Sequence, residues 1–154
     1  MTYTIRKATV DDIPIILHHR KAMFTDMGLD DLALIDAMEP PFVAWVSERI
    51  ANDTYHGWLA VAPDGQVIGG AGLWVYEWIP SPLGPQVTRG YILNVYTEPG
   101  FRKQGIARRL VEEILAYCRA RGLKIVLLHA SEQGRPIYEA LGFAQTNEMR
   151  IRLE

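Results

Sequence analysis

Apolar residues recur every three to four positions in some stretches of this chain and crowd into short runs in others, which predicts helices alternating with strands. Ile106, Leu110, Ile114 and Cys118 stand four apart, with Val111 and Leu115 widening the stripe. Arg109, Glu112, Glu113 and Arg119 occupy the opposite face, as an amphipathic helix requires, and Arg121-Gly122 closes it. Ile13, Leu17, Arg20 and Phe24 predict an earlier helix over Asp11 to Phe24, with Pro14 tolerated in its first turn. Pro40-Pro41 predicts a break between a short helical piece and a second helix over Phe42 to Asn52. Strands are expected over Tyr3 to Lys7, Trp58 to Ala62, Val67 to Trp78, Arg89 to Thr97 and Lys124 to His129. Pro63-Asp64-Gly65 marks a hairpin turn, and the proline-rich Ile79 to Pro85 marks a loop. A short helix over Gly134 to Leu141 and a last pair of strands over Phe143 to Leu153 complete the chain. The order β-α-α-β-β-β-α-β-α-β-β is mixed α/β, with a central sheet that is mostly antiparallel.

Between the strand ending at Thr97 and the long helix lies Arg102-Lys103-Gln104-Gly105-Ile106-Ala107-Arg108-Arg109. A helix N-terminus carries free N–H donors and partial positive charge, so it can seat a phosphate or pyrophosphate. Gly105 and Ala107 leave room for a bulky anion to reach the backbone. The alternative is a glycine that only lets helix and sheet pack closely. Against it, four cations gather where the helix dipole disfavours them, and a bound anion would remove that conflict. No Gly-Lys-Ser/Thr follows a glycine loop and no three-glycine dinucleotide fingerprint is present, so a nucleotide-binding module is the weaker reading.

Ile92-Leu93-Asn94-Val95 followed by Arg102-x-x-Gly105-x-Ala107 resembles the acetyl-coenzyme A signature of the GNAT superfamily of N-acetyltransferases. Ile5-Arg6-Lys7-Ala8-Thr9 with Asp12 is similar to that family's opening strand and first helix. His129-Ala130-Ser131 and Gly134 through Tyr138 to Gly142-Phe143 look like its second block, with a tyrosine four residues before Gly-Phe. The resemblance implies acetyl-CoA as cofactor and coenzyme A as product. It implies contacts along Leu93, Asn94, Val95 and Tyr96, around the turn from Arg102, Lys103, Gln104 and Gly105 to Ile106, Ala107 and Arg108, and at Ser131.

The implied chemistry is acetyl transfer from a thioester to an amine, without a metal. The Val95 N–H is the expected donor to the thioester oxygen, and Tyr138 the expected general acid toward the sulfur. Some family members carry a glutamate early on the cofactor strand, whereas Arg89 and Gly90 stand there in this chain. Glu77, flanked by Tyr76 and Trp78, is the best replacement base, directly or through water, with an aromatic setting expected to raise its pKa; a solvent-facing strand residue is the alternative reading, and His129 is the next candidate base. Phe24, Trp74, Tyr76 and His129 are expected on the acceptor side. The alternating Trp74, Tyr76 and Trp78 suit an aromatic wall, ordinary sheet packing, or a contact between two copies in a homodimer.

Five acidic residues and no basic one lie between Asp26 and Glu39, which predicts an acidic rim attracting a cationic amine; a solvated loop is the plainer reading. The 154 residues, 49% hydrophobic and 22% charged, suit one domain over 1–154. A net charge of −2 argues against a nucleic-acid surface, and no apolar run is long enough to span a bilayer. The single cysteine and the lack of a signal-like N-terminus suit a cytoplasmic protein. The resemblance implies an amine of a small molecule or peptide as the partner. The competing function is an acetyl-CoA-binding sensor or partner protein with a degenerate acceptor site.

Overall fold

The computed structural model describes residues 2–82 and 87–154. The element order is β1 (Thr4–Lys7), α1 (Ile13–Asp26), α2 (Leu32–Ala51), β2 (Tyr55–Val61), β3 (Val67–Glu77), β4 (Thr88–Thr97), α3 (Ile106–Arg121), β5 (Val126–Leu128) and α4 (Arg135–Ala140). One five-stranded sheet runs in chain order, antiparallel from β1 to β4 and parallel between β4 and β5. The mixed α/β class is therefore as the periodicity predicts. The proline-rich loop is only partly visible, since residues 83–86 lie outside the described residues.

Local chemistry sets the helix ends. Thr9 and Asp12 form a reciprocal capping box ahead of α1, and Arg6 clamps the Asp12 carboxylate with bonds of 2.8 and 2.9 Å. Asp31 caps α2 by accepting from the amides of Ala33 and Leu34. Gly122, at φ +80°, ends α3, as its position in the sequence implies.

The two sheet faces carry separate apolar clusters. Leu73 and Ile92 meet Leu110, Ile114 and Cys118 of α3 on one face. Ile16, Phe42, Val46 and Tyr55 gather under α1 and α2 on the other. Each fully buried aliphatic side chain contributes about 1.5–3 kcal/mol, so these clusters hold the helices in place. Gly72 on β3 leaves space for the Tyr55 ring, because a Cβ there would run into its hydroxyl.

Two sequence expectations are corrected. Pro40-Pro41 does not divide α2, which runs unbroken from Leu32 to Ala51. Both prolines are solvent-exposed, as are Asp36 and Ala37, whose carbonyls lose their helical donors, so water can satisfy them. The final pair of strands is absent: residues 143–154 have no strand assignment. Met149, Ile151 and Leu153 alternate as a strand would, yet are 93%, 79% and 82% exposed. Alternation specifies a face, but a strand also needs a neighbour to bond with.

Candidate active site

β4 contains an extra residue relative to β3. Gly72 pairs with Leu93 and Gly70 with Tyr96, so two steps on β3 oppose three on β4. Asn94 absorbs the bulge in a left-handed conformation, φ +57°, which asparagine tolerates better than most residues. Its side-chain oxygen accepts from Arg20 of α1 at 2.9 Å, and its amide nitrogen donates to the Tyr55 hydroxyl at 3.2 Å. Burial pushes that hydroxyl's pKa up to about 12, so it is neutral.

On its other side β4 parts from β5. Their pairing ends at Ile92 with Leu128, while β4 continues to Thr97. The result is a fork whose longer arm, from Leu93 to Thr97, has no strand neighbour on the β5 side among the described residues. Such an edge can bond an extended ligand through backbone donors and acceptors.

The fork leads toward the N-terminus of α3. Gly105 caps it at φ +77°, with no side-chain cap, and the space where its Cβ would point is open. The Arg109 amide bonds back to Gly105, so the preceding amides of Ile106, Ala107 and Arg108 lack partners within the helix. Lys103 adopts φ +60° and Gln104 is exposed beside it.

The cations here are better balanced than the sequence implies. Arg102 folds back onto the Thr97 carbonyl and Asp26 and lies over the Tyr96 ring. Arg108 pairs with Glu112 at 3.1 Å and Arg109 with Glu113 at 2.8 Å. Carboxylates one turn along thus remove much of the conflict with the dipole. Lys103 makes no ion pair among the described residues, leaving it available at the turn.

Tyr138 of α4 is 9% exposed and belongs to the apolar cluster that also takes in Val95 and Leu128, one from each strand of the fork. Burial raises its pKa, so its hydroxyl is a proton donor at neutral pH. The Ser131 hydroxyl accepts from the Gly134 amide at 3.1 Å and so shapes the turn into α4. His129, just past the fork, hydrogen-bonds the Tyr91 hydroxyl through Nδ1.

On the α1/α2 face, Trp74 stacks on Tyr76 at 4.7 Å and meets Trp45 edge-on at 5.4 Å. The predicted aromatic wall is present, extended by Trp45, which periodicity in the sequence does not single out. Phe24 and Phe42 flank the Arg20 guanidinium at 5.1 and 5.0 Å. Glu77 is exposed and opposes Thr88, five residues along β3 from Gly72, or about 17 Å in a strand. Strand alternation turns it away from the face that Trp74 and Tyr76 share. The aromatic enclosure expected around Glu77 is therefore missing.

The acidic segment is likewise mostly engaged. Asp26 pairs with Arg102, Asp36 and Glu39 bracket Lys21 at 3.0 and 3.1 Å, and Asp31 caps α2. Asp30 alone of the five has no such partner among the described residues. These contacts cross between elements, so the sequence could not reveal them. Arg20 and Tyr55, which meet at the Asn94 side chain, have no local signal in the sequence, because an arginine on a helix and a tyrosine in a strand are ordinary.

Residues 23–143 match the Acetyltransferase (GNAT) family. This chain belongs to that family. A glucosamine 6-phosphate N-acetyltransferase of Trypanosoma brucei brucei is 31% identical over 97 residues, 60% of each chain. The present chain thus aligns with only about 60% of that relative's length. A GCN5-related N-acetyltransferase from Ralstonia eutropha JMP134 superposes with a TM-score of 0.93 at 38% identity, covering 99% of both chains. A predicted acetyltransferase from Clostridium acetobutylicum, whose crystal structure includes acetyl-CoA, superposes at 0.87 with 27% identity, covering 99% of this chain and 96% of that one. The GNAT resemblance of the sequence motifs and the mixed α/β fold agree with these matches. Among the described residues, no cluster of three or more His, Cys, Asp or Glu side chains could hold a metal, and no helix is long and apolar enough to cross a membrane.

Proposed function

We propose that this chain is an acetyl-CoA-dependent N-acetyltransferase that modifies an amine of a small molecule or peptide by direct attack. The observation that carries this reading is the fork beside β4, running into an α3 N-terminus whose glycine cap faces open space. The arm from Leu93 to Tyr96 suits an extended pantetheine, and the amides after Gly105 together with Lys103 suit its pyrophosphate. Bound acetyl-CoA would supply an electrophilic thioester carbonyl and a sulfur able to leave.

The Val95 N–H would donate to the carbonyl oxygen as charge builds there. The Tyr138 hydroxyl would give its proton to the sulfur, a role its raised pKa permits because it enters the reaction protonated. The amine must release a proton to a base. His129 at the mouth of the fork suits that role better than Glu77, which would need a chain of waters. The amine's nitrogen–carbon bond forms and the carbon–sulfur bond breaks; the amine's proton ends on the base, the Tyr138 proton ends on sulfur, and the tyrosinate left behind regains a proton from solvent. An acetyl-CoA donor suits the cytoplasm as the site of reaction.

The test is a thermal-shift titration with acetyl-CoA, followed by thiol release across amines that include amino acids, polyamines, phosphorylated amino sugars and peptide N-termini. Stabilisation by acetyl-CoA with thiol release on at least one amine is expected. Stabilisation without transfer to any amine would favour the sensor reading, and neither effect would overturn both.

A further inference from the structure

We infer that the acceptor carries an anionic group, a carboxylate or a phosphate, bound by Arg20 beneath the β4 bulge. The inference rests on the acetyltransferase reading and names the acceptor class for the same site.

Arg20 lies among Phe24, Phe42, Tyr55 and Asn94, partly withdrawn from solvent. Removing a guanidinium from water is unfavourable unless a counter-charge or a full set of hydrogen bonds replaces the water. Arg6, Arg102, Arg108 and Arg109, all exposed, each have a carboxylate partner. Arg20 has none among the described residues. Among the described residues its single hydrogen bond runs from Nη1 to Asn94, and its buried Nε has no acceptor. Nη2 also bonds to nothing among the described residues but is not sealed in this way, which leaves a charged donor for a ligand. The nearby hydroxyls of Tyr55 and Tyr91 are held protonated by burial and supply no negative charge.

The location matters as much as the missing partner. Asn94, which Arg20 holds, immediately precedes Val95, the proposed donor to the thioester oxygen. An anion on Arg20 would therefore sit close to the reacting carbonyl, on the face lined by Trp45, Trp74 and Tyr76. An acceptor carrying only positive charge would be repelled by Arg20. An amine with its own carboxylate or phosphate would neutralise the arginine and bring the nitrogen alongside. Guanidinium binds both groups strongly, because charge-assisted bonds form to each.

Paired amines provide the test: an amino acid against its carboxamide, and an amino-alcohol phosphate against the free amino alcohol. Each is assayed for thiol release and, separately, for thermal stabilisation of the protein holding coenzyme A. In the wild type, at least one anion-bearing member should exceed its twin without the anion by about tenfold or more in kcat/KM, and should alone raise Tm. The arm that responds identifies the anion. Arg20→Gln should lose that preference, whereas Arg20→Lys should keep part of it. Coenzyme A stabilisation of both variants controls for folding. Equal use of both twins in the wild type, or an anion preference that persists in Arg20→Gln, would overturn the inference and leave the transferase reading intact. Anionic amines that stabilise the wild type but not Arg20→Gln, without any thiol release, would sustain the anion site and defeat the transferase reading. No thermal or kinetic response to any anionic amine would overturn the inference.

Discussion

Single side chains carry the most specific expectations. Tyr138 is packed by its ring and is useful for its hydroxyl, so Tyr138→Phe separates the two roles. We expect turnover to fall about 10²-fold or more while stabilisation by acetyl-CoA persists, measured by thiol release and thermal shift. Retained turnover would make Tyr138 a packing residue only. His19 gives a second expectation, about stability. Its imidazole is 2% exposed, and burial, with the charge of His18 adding to it against Glu98, lowers its pKa to about 4. In the unfolded chain the same group takes up a proton near pH 6.5. Between those values the unfolded state binds more protons, so stability is complete above pH 6.5 and declines as pH falls toward 4. The loss amounts to about 3 kcal/mol. Denaturant midpoints from pH 7 to 4.5 should show this decline, and His19→Gln should flatten it.

At the scale of elements, the α3 N-terminus depends on one backbone conformation. Gly105 sits at φ +77° with open space beyond its α-carbon, so substitution meets two separate obstacles. Any L-residue is strained there by about 1 kcal/mol, and a branched one also fills the proposed pyrophosphate seat. Gly105→Ala should lower Tm modestly and weaken the shift caused by coenzyme A. Gly105→Val should abolish that shift while the protein still melts cooperatively. An undiminished shift in the valine variant would place the cofactor elsewhere. The bulge at Asn94 works on the same scale, because one extra residue in β4 brings a polar side chain to α1 and interrupts the regular ladder with β3.

For the whole molecule, charge balance and the chain's last residues matter most. The Lys21 and Arg102 pairs reduce the attraction that the Asp26 to Glu39 segment would exert on a cationic acceptor. A homodimer, one of the three readings of the Trp74, Tyr76 and Trp78 stripe, would also let a second copy cover the exposed Met149, Ile151 and Leu153. Light scattering of the wild type should then report a dimer, and replacing all three with Ser should shift the mass toward the monomer. A monomeric wild type across micromolar concentrations would remove that reading.

Local pattern in the sequence determined most of the elements. Four-residue spacing specified α3, short apolar runs specified β2 to β4, and Gly105 and Gly122 marked the ends of α3, because each signal depends on neighbours along the chain. The GNAT motifs were legible for the same reason, being short and contiguous. Tertiary structure alone decided which charges remain without partners. It paired Arg102 with Asp26 and Lys21 with Asp36 and Glu39, left Arg20 without a carboxylate, and set Glu77 far from the bulge. It also decided that Pro40-Pro41 lie on a wet helix face and that the last residues find no strand neighbour. These outcomes depend on distances between residues remote in sequence and on access to water, and neither quantity is encoded in any local spacing.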